Sequence, residues 1–119
     1  MNTQYLVKTA HQPEPGTPLF INKNEALRIG RRYGDTKWIS CTAKMTGVTG
    51  WVPEQIISRD CPDAKSGTAT EDYSARELAV KAGDTVESNR ELNGWAWCVD
   101  EDGNVGWVPL EKLDNKSLK

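Results

Sequence analysis

A chain of 119 residues with one histidine and three cysteines offers few side chains for bond-making chemistry. His11, Cys41, Cys61 and Cys98 are the only imidazole and thiol side chains, and a structural zinc site needs ligands converging at tetrahedral spacing. Cys41 and Cys98 instead fall at matching inward strand positions of separate sequence units, where a thiol acts as a small hydrophobe. Cys61, beside Pro62, reads as an exposed linker thiol. Asp100, Glu101 and Asp102 are neighbouring carboxylates, but they sit at an expected hairpin tip, where ordinary turn chemistry accounts for them. There is no glycine-rich phosphate loop and no nucleophile motif, so the expectation is a non-enzymatic protein without cofactor or metal. The side chains left to explain are tryptophans, and a tryptophan offers a flat apolar wall with one N–H donor, which suits binding.

These tryptophans lie on predicted β-hairpins. Trp95–Val99, a turn at Glu101–Asn104 and a return strand ending at Pro109 form one hairpin, with Asp102-Gly103 as its turn signal. Alternation puts Ala96, Cys98 and Val108 on one face and Trp95, Trp97 and Trp107 on the other. The expectation is that the small residues point into a core and the tryptophans outward. Trp38-Ile39-Ser40-Cys41 followed by Gly50-Trp51-Val52-Pro53 repeats this W-x-x-C…G-W-V-P spacing. Leu19-Phe20-Ile21 answers Leu78-Ala79-Val80, and Asn24-Glu25-Ala26-Leu27 answers Gly83-Asp84-Thr85-Val86, so two copies of one unit follow each other in the chain.

Units of about 55–60 residues are near the lower limit for independent folding, which calls for short loops and many strands. The net charge of −2 is uneven: residues 1–62 carry 8 basic and 5 acidic groups, +3, and residues 63–119 carry 7 and 12, −5. Opposite charges favour intramolecular packing of the two units, weakly at physiological salt. No apolar run approaches the ~20 residues of a membrane span. The N-terminal Met1–Tyr5 lacks the features of a secretory signal, and three cysteines fit a reducing compartment, so a cytoplasmic location without membrane contact is expected.

In chain order, Tyr5–His11 reads as a first strand and Gln12–Pro18 as a proline-rich loop. Leu19, Ile21, Leu27 and Ile29 are expected inside, with Asn22-Lys23-Asn24 as the turn between them. Arg31 to Lys37 forms a polar loop, and Pro53–Ile57 closes the first unit. Ser58–Ser66 reads as a short linker, Leu78, Val80 and Val86 as the second core, and the end of the chain as a tail.

The second copy resembles a Src-homology-3 domain. Ala69-Thr70-Glu71-Asp72-Tyr73 looks like the family's A-L-Y-D-Y opening and Glu77-Leu78-Ala79-Val80-Lys81-Ala82-Gly83-Asp84 like its E-L-x-F-x-x-G-D stretch. Trp95 and Gly106-Trp107-Val108-Pro109 resemble the groove tryptophan and the G-[YFW]-[IV]-P motif, and the internal repeat extends the likeness to the first copy. The whole chain is similar to a bacterial tandem Src-homology-3 protein. The resemblance implies an all-β fold of two tandem five-stranded barrels, 1–57 and 67–114, with a linker at 58–66 and a tail at 115–119. It also implies aromatic grooves that take a protein or peptide segment, such as a proline-rich one extended as polyproline II. Carried over by position, one groove uses Tyr73, Trp95, Trp107 and Pro109, and the other His11, Trp38, Trp51 and Pro53. Glu71 stands where the family has its first tyrosine, and Lys112 and Ile56 where it has one three residues beyond the groove proline, so ordinary P-x-x-P recognition is not implied.

Two other functions compete. Arg28, Arg31 and Arg32 with Tyr33, Lys37 and Trp38 could form a basic-aromatic surface for nucleic acid. Alternatively, the tryptophans are interface core, making the chain a scaffold or oligomerisation unit.

Overall fold

The computed structural model describes residues 2–115. Of the expected tail, residues 116–119 lie outside the described residues. The described chain is all-β, with two single-turn 3-10 segments and no α-helix. In order, the strands are β1 (Thr3–Val7), β2 (Phe20–Ile21), β3 (Ala26–Arg32), β4 (Trp38–Ala43), β5 (Thr49–Pro53) and β6 (Ile57–Ser58). They continue with β7 (Ser66–Ala69), β8 (Tyr73–Ser74), β9 (Thr85–Leu92), β10 (Trp95–Val99), β11 (Val105–Pro109) and β12 (Leu113–Asn115). The 3-10 turns Glu54–Ile56 and Leu110–Lys112 each follow a G-W-V-P motif, whose proline supplies extended backbone at φ −63° and −61° before the turn.

The chain divides into two compact units, but not at the linker. One is continuous, Gly16–Ala75; the other joins Met1–Pro15 to Arg76–Lys119. In the continuous unit five strands pair in the order β5-β4-β3-β7-β6, beside a small β2–β8 ladder. In the discontinuous unit the order is β11-β10-β9-β1-β12. The expected first strand therefore does not pair with the strands that follow it; β1 lies between β9 and β12, with Tyr5 opposite Val86 and Val7 opposite Leu113. The expected linker is instead the bend of a hairpin, with Ile57 opposite Ala69 and Ser58 opposite Thr68. Its shortness is the physical reason. A connection of a few residues closes a hairpin at low entropic cost, so β7 takes the place beside β6 and β3. The corresponding place in the other sheet is filled by β1. The nesting is legible only once the sheet order is known.

Each unit has its own core, made by the alternation read from the sequence. Leu19, Ile21, Leu27, Ile29, Ile39, Cys41, Val52 and Ile56 cluster in the continuous unit. Tyr5, Val7, Leu78, Val80, Val86, Ala96, Cys98 and Val108 cluster in the other. Burial pushes the thiols of Cys41 and Cys98 up, to about 11 and about 12. Cys61 is exposed, and all three cysteines are free thiols. The turn at Asn22–Asn24 forms as expected, with Asn24 at φ 72°. β9 runs on through the polar residues after Ser88 to Leu92 and turns at Asn93-Gly94, both at positive φ.

Candidate aromatic binding sites

The repeated glycine of G-W-V-P has a steric cause. A Cβ on Gly106 would lie 2.6 Å from the Glu77 carbonyl carbon and the Leu78 nitrogen, and one on Gly50 2.9 Å from Leu19 Cβ. In each unit the segment carrying the buried leucine thus crosses the strand just before its tryptophan. In the discontinuous unit this crossing is hydrogen bonded: Trp107 N donates to Arg76 O, and Leu78 N donates to Trp107 O.

This close approach covers Trp107, which is only 5% exposed. The expectation that it faces outward is therefore corrected: the Arg76–Leu78 segment lies along β11, and Trp97 packs edge-on against Trp107 with ring centroids 5.3 Å apart. Pro109, opposite Trp95, is buried as well. Trp95 is half-buried and meets His11 edge-on at 5.6 Å. His11 itself is 8% exposed and held from both sides. Lys112 Nζ lies 3.0 Å from Nδ1, and Nε2 lies 2.7 Å from Glu77 Oε1. An ammonium can only donate, so Nδ1 accepts and Nε2 carries the hydrogen given to Glu77. Lys112 is thereby used to fix the histidine.

The continuous unit presents a different face. Trp38 lies opposite Pro53, and Ser40 opposite Trp51, so Trp38, Trp51 and Pro53 share one side of the β4–β5 ladder. Pro53 is buried and Trp38 half-buried, while Trp51 is 40% exposed. Tyr33, from the β3–β4 loop, stands edge-on to Trp51 with centroids 5.3 Å apart. Tyr73 Oη donates to the Trp51 carbonyl at 2.9 Å. The β3–β4 loop is braced: Arg32 grips the Glu54 carboxylate through both terminal nitrogens at 2.9 and 2.6 Å, and donates to Thr36 O. Arg59 adds a third contact to Glu54 at 3.3 Å. The hydrogen bond from Arg32 holds the Glu54 carboxyl below its ordinary range, despite the opposing effect of partial burial.

The predicted site residues are thus regrouped. Tyr73 meets Trp51, where the resemblance grouped it with Trp95 and Trp107; His11 meets Trp95, where it was grouped with Trp38 and Trp51. Ile56 is core and lines neither face. Two contributions escaped the sequence. The sequence places Tyr33 with the basic residues, although its position in the loop that leads to Trp38 and β4 is a usable signal; the Lys112–His11–Glu77 chain leaves none, because it joins three distant segments.

One similarity to known proteins bears on this site. Residues 67–115 match the variant SH3 domain. No curated protein and no solved structure matches the chain. The SH3 match names a class of protein-interaction module, and it straddles the division of the fold. Its β7 and β8 belong to the continuous unit, and everything from residue 76 onward to the other. Among the described residues, no helix is long and apolar enough to cross a membrane, and no group of three metal-ligating side chains converges.

Proposed function

We propose that the chain is a peptide-binding adaptor built of two SH3-like barrels, and that its working groove is on the continuous unit, formed by Tyr33, Trp38, Trp51, Pro53 and Tyr73. The observation that carries this is Trp51, 40% exposed yet fixed by Tyr33 at its edge and by the Tyr73 hydroxyl at its carbonyl. Rigid aromatic walls with an exposed face receive an extended, proline-containing segment at little ordering cost. In the other unit Trp107 is buried and His11 is held between Glu77 and Lys112, which supports placing the groove on the continuous unit. The basic-aromatic alternative is weakened by the same geometry. Arg32 is spent on Glu54, and the continuous unit carries eight basic against seven acidic residues, a net of only +1.

The test is calorimetric titration of the full chain with synthetic proline-rich peptides. Trp51→Ala should weaken binding at least tenfold and Trp95→Ala should leave it within twofold. Equal loss in both variants, or loss only with Trp95→Ala, would reject the assignment.

A further inference from the structure

We infer that Tyr5 and Gly67 form a steric key that decides which groove Tyr73 completes. The two residues are equivalent by register. Tyr5 lies opposite Val86 in one sheet and Gly67 opposite the corresponding Leu27 in the other. The next inward residues, Val7 and Ala69, are both 1% exposed. By backbone pairing alone, β1 and β7 could exchange places. The chain would then fold contiguously, each half using its own first strand.

Side-chain volume breaks that equivalence. A Cβ at residue 67 would run into the Ser58 carbonyl oxygen and lie 2.9 Å from Ile29 Cδ1, so the slot beside β3 and β6 admits only glycine. Tyr5 cannot enter it. In its own slot Tyr5 is 7% exposed in the core with Val86 and Cys98, and its phenol donates to the Glu91 carboxylate. Glycine there would leave a cavity and remove the donor from Glu91. Both mismatches therefore oppose the contiguous order.

The groove follows from the strand. His11 lies four residues beyond Val7 and Tyr73 four residues beyond Ala69, so whichever sheet takes a strand also takes its ring. With the nested pairing, Tyr73 reaches Trp51 and His11 reaches Trp95. With the contiguous pairing the tyrosine would move to the Trp95 groove. Gly67 is thus a positioning residue for Tyr73 although it lies six residues away in the sequence. This inference concerns strand pairing and stands whether or not the groove binds peptide.

Cross-linking of the full chain distinguishes the two pairings, with Cys61→Ser removing the exposed thiol. Leu6 is opposite Asp114 in the nested order and would be opposite Ser58 in the contiguous one, in the place Thr68 now holds. Paired cysteines at 6 and 114 should be joined within one chain by a short thiol cross-linker, and those at 6 and 58 at least tenfold less. Exchanging the key, Tyr5→Gly with Gly67→Tyr, should reverse this preference. Should that double variant not fold, Tyr5→Gly alone removes the clash and should raise the 6–58 product at least tenfold. A 6–58 product within tenfold of the 6–114 product with the natural key, dominance of products between chains, or an unchanged pattern in whichever key variant folds would overturn the inference.

Discussion

Trp51 and Trp107 occupy the same place in the repeated motif and have opposite environments, 40% and 5% exposed. Replacing Trp107 by alanine removes a packed ring and should cost about 3–5 kcal/mol. Trp51→Ala should cost less than about 1 kcal/mol, since its ring lies at the surface. Urea unfolding of both variants checks the contrast, and equal losses would contradict it. Alternation identified the face of each tryptophan, but not which faces another segment would cover, because that depends on where Arg76–Leu78 runs. A second consequence at this scale concerns pH. Burial raises the thiols of Cys41 and Cys98 from 9.0 to about 11 and about 12. Burial, followed by its bond to Glu91, raises the Tyr5 phenol from 10.0 to about 12. All three groups favour the neutral form in the fold, so their contribution is intact below pH 9 and is lost as pH rises toward 12, because the unfolded chain ionises first. The urea midpoint should fall steadily above pH 9, and less steeply when Cys98 is replaced by alanine and compared with its own neutral-pH value.

Among the elements, the hairpins were the most legible. β4–β5 and β10–β11 pair as the W-x-x-C…G-W-V-P spacing implied, with Trp38 opposite Pro53 and Trp95 opposite Pro109. The glycine of that motif marks a crossing segment, which its sequence position alone does not reveal. Gly106→Ala should destabilise the protein by about 1–3 kcal/mol, because the added methyl group meets backbone, which cannot rotate away. Thermal or urea unfolding measures it, and a neutral substitution would show that Arg76–Leu78 does not approach β11 as described. Strand pairing was less legible than strand existence. β1 and β7 share an alternation and a register, so periodicity favours neither slot; the short connection from β6 to β7 and the volume at Tyr5 and Gly67 do, and the volume matters only against a known neighbour.

At the scale of the whole molecule, the two copies of the repeat correspond to two five-stranded sheets, each with its own core, but the chain does not pass from one to the other at the expected linker. The chain leaves the discontinuous unit after Pro15, completes the whole of 16–75, and returns at Arg76. That route also redistributes charge: the +3 and −5 of the sequence halves become +1 for the continuous unit and −3 for the other. It places an aromatic face on a stretch only partly covered by the SH3 match at 67–115. The assignment of binding to that face is tested most directly by nuclear magnetic resonance, following the five indole N–H signals as a proline-rich peptide is added. Binding at the continuous unit predicts saturable shifts at Trp38 and Trp51 with Trp97 and Trp107 unmoved. Shifts confined to Trp95 and its neighbours, or none at Trp51 with any peptide that binds, would contradict it.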